Sequence, residues 1–161
     1  MLADRPDGRD LLTQEASVRR DGSRLNSHDL VGRWRLRQLW GKGQTTPSNL
    51  ASMGLRAVQA TLELDDGAEG LGIVNSVLVG PINLRFTGTA ELVGRRPLLR
   101  FSFETVELRW GARVVWRRSL PTPMPRRMPF FALIARDPSG WLAARGRGGG
   151  LALWDLVETL P

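Results

Sequence analysis

The chain has 161 residues, which suits one domain with its own hydrophobic core and leaves little room for two. It contains no cysteine, which excludes disulfides, thiolate metal sites and cysteine nucleophiles, and His28 is its single histidine. The formal net charge is +7, and a basic balance of this kind suits anionic lipid headgroups, nucleic acid or simple solubility.

Residues 1–31 are polar and show no clear hydrophobic period, apart from one helical turn predicted near 11–18. We interpret them as a flexible polar arm in which His28 is exposed or caps a turn. They lack an apolar run and carry six acidic residues, so we expect neither a secretory signal nor a transit peptide, and an intracellular location.

From residue 32 to 40 the sequence alternates strictly, which is the period of a β-strand and not of a helix. The strand opens with Gly-x-Trp, as the first strand of a lipocalin-type barrel does. One face carries Trp34, Leu36, Gln38 and Trp40, and the other carries Arg33, Arg35 and Arg37.

The remaining segments also favour β structure. We predict a loop at 41–48, a short lid helix at 49–55 and a proline-rich loop at 119–129. Between residues 99 and 110 the apolar residues change from odd to even positions, which predicts a bulge near 104–106. Further strands are predicted at 58–65, 71–79, 82–92, 99–110, 113–117, 130–135, 140–145 and 151–157. The fold class is therefore all-β: an antiparallel up-and-down barrel of about eight or nine strands over 32–161, with at most one short helix.

Four segments in this order resemble the plastid lipid-associated protein family, also called PAP or fibrillin, of plastids and cyanobacteria. They are Gly-Arg-Trp-Arg-Leu at 32–36, Val-Gly-Pro-Ile-Asn-Leu-Arg-Phe-Thr-Gly-Thr-Ala at 79–90, Phe-Ser-Phe-Glu-Thr-Val-Glu-Leu at 101–108 and Trp-Leu-Ala-Ala-Arg-Gly-Arg-Gly-Gly-Gly-Leu-Ala-Leu at 141–153. The resemblance covers about residues 30–155 and is to a compact cyanobacterial-type member. It implies a lipocalin-like barrel, a noncatalytic role with a hydrophobic small molecule, and association with thylakoids or lipid globules.

The barrel interior is the first candidate site. A barrel of this size either fills itself with side chains or holds one small ligand, and both interpretations stay open. The small inward residues Gly88 and Ala90 leave space and favour a cavity. The predicted ligand-binding residues are Leu36, Leu84, Phe86, Phe101, Phe103, Trp116 and Phe131.

The barrel floor is the second candidate. We expect Gly32 and Trp34 to form it, with Arg145 either stacked on the Trp34 indole or exposed in a turn. The Arg-Gly tract that begins at Arg145 is interpreted as a glycine turn and not as an RNA-binding segment.

Arginines on the outward strand faces are the third candidate, as a surface for anionic thylakoid lipid or as an ordinary solvated wall. They are Arg33, Arg35, Arg37, Arg85, Arg100, Arg113 and Arg117. Glu104 and Glu107 are three residues apart, so on a regular strand they point to opposite faces and form no catalytic pair.

These features predict noncatalytic binding of a lipid, carotenoid or quinone, with no metal and no other cofactor. The expected protein is a monomer in the cyanobacterial cytoplasm or at the thylakoid periphery. A phycobilin lyase of the same barrel type is the enzyme alternative. Nucleic-acid binding through the basic surface is the other alternative, and we disfavour it because no stacked surface aromatics are expected.

Overall fold

The computed structural model describes residues 5–45 and 59–161. These residues form two helices, nine strands and a short 3-10 turn at Pro125–Arg127. The helices are α1 (Gly8–Asp21) and α2 (Ser27–Leu30). The strands are β1 (Gly32–Trp40), β2 (Gln59–Gly67), β3 (Gly70–Val79), β4 (Ile82–Val93), β5 (Leu98–Trp110), β6 (Arg113–Ser119), β7 (Phe130–Asp137), β8 (Trp141–Gly146) and β9 (Leu151–Glu158).

The described strands form one antiparallel sheet in the order β4-β3-β2-β1-β9-β8-β7-β5-β6. An additional pairing of β4 with β5 closes this sheet into a ring. Of the nine described strands, β6 alone lies outside the ring, paired with the second half of β5. The prediction of an all-β antiparallel barrel is confirmed.

The ring is not paired over its full height, and β1 and β2 separate toward the end at which β1 finishes. β1 pairs with β2 only from Gly32 to Arg35, and β5 pairs with β7 only from Leu98 to Arg100. Beyond these pairs the described parts of the four strands share no ladder. We call this the open end, and it is the end at which β1 finishes with Trp40. The predicted lid helix at 49–55 lies outside the described residues.

The N-terminal segment is packed against the barrel, whereas the sequence predicted a flexible arm. α1 has 14 residues and is capped by the preceding Asp7, whose carboxylate accepts hydrogen bonds from the amides of Arg9 and Asp10. This capping satisfies amides that a helix leaves free at its first turn. Leu11 of α1 is completely buried, so the single helical turn predicted from the sequence underestimates this element.

Two hydrophobic cores lie on opposite sides of the sheet. The inner core fills the ring and includes Trp34, Leu64, Ile73 and Leu99. The outer core lies under α1 and consists mainly of Leu11, Trp40, Ile134, Trp141, Ala143, Leu151 and Leu153.

Trp40 belongs to the outer core because the alternation of β1 is interrupted. The register with β9 shifts between Leu36 and Gln38, so residues after the shift change sides. The predicted common face of Trp34 and Trp40 is therefore wrong.

The bulge predicted near 104–106 is confirmed, and it explains why residue 88 is glycine. Thr87 pairs with Thr105 and Gly88 pairs with Phe103, which leaves Glu104 as the extra residue. A Cβ at Gly88 would collide with the Ser102 carbonyl oxygen and lie 2.7 Å from the Cα of Phe103. The space predicted at Gly88 is occupied by the backbone of β5, so it is not part of a cavity.

Replacing this glycine is expected to destabilise the protein. Gly88→Ala should lower the free energy of unfolding by about 3 kcal/mol, because backbone in contact with the new methyl group must move. Gly148→Ala is the matched control, since a Cβ there has no atom within 4 Å. Urea denaturation measures both, and equal stabilities of the two variants would contradict the close approach.

Candidate ligand cavity

A cavity of about 490 Å³ lies at the open end of the barrel. This volume falls within the range of small-molecule sites, which is about 300–1,000 Å³. Its walls are mostly apolar, and Asn75, which pairs with the buried Leu62, places a polar side chain on the inward face. The lining residues are Leu36, Leu39, Trp40, Gly41, Ala60, Thr61, Leu62, Asn75, Val77, Phe131, Gly146, Gly150, Leu151, Ala152 and Trp154.

The cavity exists because small residues stand where the two walls separate. Ala60 pairs with Val77 across β2 and β3, and Ala152 lies on β9 opposite β1. Neither alanine side chain is long enough to reach across the barrel. Gly146 and Gly150 border the cavity at the turn between β8 and β9 and contribute no side chain at all. The result is empty space beside a packed inner core.

A chain of aromatic rings supports the cavity wall. Ring centroids are 5.4 Å apart for Phe86–Phe103, 5.3 Å for Phe103–Phe101, 5.1 Å for Phe101–Phe131 and 5.4 Å for Phe131–Trp154. Such spacings are typical of favourable aromatic pairs. Phe131 and Trp154 end the chain at the cavity, so the packed rings behind them hold these two side chains in place.

The structure separates the predicted ligand-binding residues into four groups. Leu36 and Phe131 line the cavity, while Phe101 is buried in the inner core with Phe103 packed against it. Leu84 and Phe86 are half-buried on β4, outside the lining. The assignment of Trp116 to the interior is wrong, because β6 lies outside the ring and this side chain is 48% exposed.

Several lining residues were not predicted as site residues, among them Trp40, Ala60, Val77, Ala152 and Trp154. Ala60 and Val77 lie near the ends of their strands, and only the separation of the walls makes those ends a site. Trp154 belongs to a continuous apolar run, Leu-Ala-Leu-Trp, in which alternation gives no inward face.

The floor of the barrel is formed by Gly32, Trp34 and α2. Trp34 is completely buried, and its indole Nε1 donates a hydrogen bond to the Leu30 carbonyl oxygen at 2.8 Å. A Cβ at Gly32 would lie 2.7 Å from Leu156 Cδ1, and its φ of +150° favours glycine. The structure thus places both predicted floor residues at this end.

Arg136, and not Arg145, is the cation over Trp34. The Arg136 Cζ lies 5.6 Å from the indole centroid, and its Nε donates to the Asp29 carbonyl oxygen at 3.1 Å. Arg136 therefore joins β7 to both α2 and the floor. The predicted stacking of Arg145 on Trp34 is wrong.

A double-mutant cycle is expected to detect this contact. Trp34→Phe and Arg136→Met should couple by about 0.5–2 kcal/mol, because a cation over an indole is stabilised by the negative face of the ring. The same cycle with Arg145→Met should be additive within about 0.5 kcal/mol. Unfolding free energies from urea denaturation measure both cycles, and coupling only in the Arg145 cycle would reverse the assignment.

Arg145 instead holds α1 to the barrel. Its Nε and Nη2 donate to the two carboxylate oxygens of Glu15, each at 2.6 Å. The Arg145 hydrogen bond is the main cause that lowers the pKa of Glu15 below its ordinary value, against the desolvation that raises it. Conversely, the same hydrogen bond raises the pKa of Arg145. The pair lies at the side of the barrel and plays a structural role.

Glu15→Gln is expected to lower the free energy of unfolding at neutral pH by about 2 kcal/mol, because it leaves a partly buried guanidinium without its charged partner. The folded-state pKa of Glu15 lies below the unfolded value, so its stabilisation is complete above about pH 4.3 and is lost as the pH falls through the folded-state pKa. The difference between the two proteins should therefore shrink in acid. Urea denaturation at several pH values measures this.

Glu69→Gln is the control for that experiment, since Glu69 is exposed in the turn between β2 and β3. It should change the unfolding free energy at neutral pH by no more than about 0.5 kcal/mol. A Glu15→Gln difference that does not depend on pH would show that the carboxylate charge is not what stabilises the helix.

The predicted arginine surface is not one continuous face. Arg33, Arg35 and Arg37 lie on β1, whereas Arg85 is on β4, beyond β2 and β3, and Arg100, Arg113 and Arg117 are on β5 and β6. Four of the seven are ion-paired: Arg33 with Glu63 and Glu158, Arg37 with Asp155, Arg100 with Glu91, and Arg117 with Glu107. The pairing neutralises much of the charge on which a basic belt would depend.

The carboxylates near the bulge provide no acid–base pair. Glu107 is buried between Arg109 and Arg117, and the Arg117 hydrogen bond is the main cause that lowers its pKa. Glu104 is exposed. Across residues 5–45 and 59–161, no group of three His, Cys, Asp or Glu side chains is arranged to hold a metal ion, and no helix is long and apolar enough to cross a bilayer.

No family model, curated protein or solved structure matches the chain.

Proposed function

We propose that this protein binds one small apolar molecule, a lipid, carotenoid or quinone, in the cavity at the open end and acts without catalysis. The observation that carries the proposal is the cavity of about 490 Å³ beside an otherwise packed core. Empty apolar space forgoes contacts that a filled core would make, and a bound ligand restores them.

One polar side chain of the cavity indicates the kind of ligand. Asn75 pairs with Leu62, so its amide lies on the inward face of the sheet, whereas Thr61 stands between Ala60 and Leu62 and its side chain lies on the opposite face. The Asn75 amide can hydrogen-bond to a carbonyl or hydroxyl group, such as those of a quinone, a lipid ester or an oxygenated carotenoid. The apolar remainder of the ligand would lie against Leu36, Phe131 and Trp154.

The same lining disfavours a bilin. No Arg, Lys, Asp or Glu side chain is among the described residues that line the cavity. The propionate carboxylates of a bilin would therefore have no charged partner inside, and burying an unpaired carboxylate is costly. This supports a carrier over a phycobilin lyase.

The resemblance to the PAP family and a place at the thylakoid periphery belong to the same proposal. An apolar ligand has to be collected from a membrane or a lipid globule, where such molecules reside. The barrel fold and the apolar cavity are the structural features that agree with this part of the proposal.

Titration with N-phenyl-1-naphthylamine, a neutral apolar fluorophore, tests the proposal. We expect saturable binding of one molecule per chain and displacement by plastoquinone, a galactolipid or a carotenoid. The competitor that displaces the probe at the lowest concentration identifies the ligand class. Binding that does not saturate, or a saturable site from which none of these molecules displaces the probe, would contradict the proposed function.

A further inference from the structure

Four large apolar side chains are exposed together at the open end. They are Val79, Ile82, Trp110 and Trp116, and we call them the lip. Trp110 is 59% exposed and Trp116 is 48% exposed, whereas the other four tryptophans of the chain are at most 6% exposed. Exposed tryptophans in a protein that buries all its others indicate a contact surface.

The register of the strands places the lip on one face of the sheet. Val79 pairs with Ile82, and Ile82 pairs with Trp110, so these three form one cross-strand row. The next row contains Val77, Leu84, Leu108 and Trp116. Directly paired residues point to the same side of a sheet. Since Val77 lines the cavity, the apolar cavity wall continues outward to the lip.

Two arginines flank the lip on that same face. Arg113 pairs with Trp110, and Arg118 pairs with Val106, which is two residues before Leu108 on β5. Neither forms an ion pair with a described residue. On the opposite face of the sheet, Arg109 and Arg117 are bound to Glu107. The cations beside the lip are therefore available to an anionic partner, while those behind it are already neutralised.

We propose that the lip, with Arg113 and Arg118, docks the barrel on an anionic lipid bilayer. Tryptophan is enriched at the membrane interface, where its indole combines apolar area with a polar N–H, and arginine binds the phosphates of the headgroups. Docking would place the open end at the bilayer. The further step, in which a ligand passes between bilayer and cavity, rests on the proposed function.

Other partners fit this surface less well. A second copy of the chain would bring the two unpaired arginines of each copy into one interface, and like charges repel. A nucleic acid would use the exposed indoles and the arginines, which corrects the expectation that the surface offers no such aromatics. It would not use Val79 and Ile82, which present neither a ring nor a hydrogen-bonding group.

Vesicle flotation tests the docking surface with the full chain. Vesicles of phosphatidylcholine alone are compared with vesicles that also contain phosphatidylglycerol, and binding is expected only or mainly to the second. The double variant Trp110→Ser/Trp116→Ser should weaken this binding about tenfold or more. Arg113→Glu/Arg118→Glu should weaken it about tenfold or more and abolish the preference for phosphatidylglycerol.

Arg24→Glu/Arg35→Glu is the charge-matched control, because both residues are exposed and lie away from the lip. It should lose much less binding than the lip variant of equal charge. Equal losses in the two charge variants would overturn the lip and indicate a general effect of net charge. No binding to either vesicle would overturn the docking proposal itself.

Two further readouts separate the remaining possibilities. Sedimentation that shows self-association lost in Trp110→Ser/Trp116→Ser would assign the lip to a second copy and overturn the bilayer. Tighter binding to a single-stranded oligonucleotide than to vesicles would overturn it in favour of nucleic acid. The lip variants should still bind N-phenyl-1-naphthylamine, so failure of docking and failure of the cavity proposal are distinguishable.

Discussion

Filling the cavity with Ala60→Phe is expected to weaken binding of N-phenyl-1-naphthylamine about tenfold or more. Ala60 is half-buried on β2 and lines the cavity, so a phenyl ring there enters space that the ligand would use. Each buried methylene-sized contact that the ligand loses costs about 0.8 kcal/mol, and two of them reach a tenfold effect. The fluorescence titration measures the change in affinity.

The free energy of unfolding should not fall in this variant, because the ring enters empty space and overpacks nothing. Ala68→Phe is the matched control, since Ala68 is exposed in the turn between β2 and β3. It should bind the probe as the unchanged protein does. A probe affinity that is the same in Ala60→Phe would place the binding site outside this cavity.

Trp34→Ala is expected to lower the free energy of unfolding by about 3–5 kcal/mol. Trp34 is completely buried in the inner core, and removing the indole leaves a large void that the β-strands around it cannot close. The substitution also leaves the Leu30 carbonyl oxygen without its donor and removes the ring under Arg136. Equilibrium denaturation in urea measures the loss.

Trp116→Ala provides the comparison for the same chemical change on an exposed side chain. Its expected effect is no more than about 1 kcal/mol, because β6 lies outside the ring and Trp116 is largely in solvent. Losses of similar size in the two variants would contradict the assignment of Trp34 to the floor and of Trp116 to the surface.

The barrel could be predicted because most of its strands alternate in the sequence. The clearest alternation, in the first half of β1 and in β4, marks strands with one face toward the inner core. The bulge at Glu104 was predictable because one extra residue in a strand shifts every later apolar side chain by one position, which changes the parity of the pattern.

The outer core was missed, although a signal for it exists. Residues 141–144 of β8 and 151–154 of β9 are all buried, and both segments are continuous apolar runs. A strand without alternation is one buried on both faces, which requires a layer outside the barrel. α1 supplies that layer through a single fully buried side chain, Leu11, in an otherwise polar segment, so the helix itself gives little indication.

The partners of Trp34 and Glu15 were beyond the sequence. Arg136 and Arg145 both lie in late strands, and which of them reaches the floor depends on the register shift between Leu133 and Ala135. Glu15 is separated from Arg145 by 130 positions in the chain. The position of β6 was also beyond the sequence, because β6 alternates like its neighbours. It lies outside the ring because β5 pairs with both β4 and β7, which closes the ring without β6.

A two-dimensional amide NMR titration with plastoquinone or a galactolipid, whichever displaces the probe, tests the central claim most directly. The account predicts saturable shifts concentrated at Ala60, Val77, Ala152 and Phe131, around the cavity. Resonances of the distant floor, such as those of Gly32, should remain unchanged. Shifts confined to the lip at Trp110 and Trp116, with the cavity residues unaffected, would contradict it.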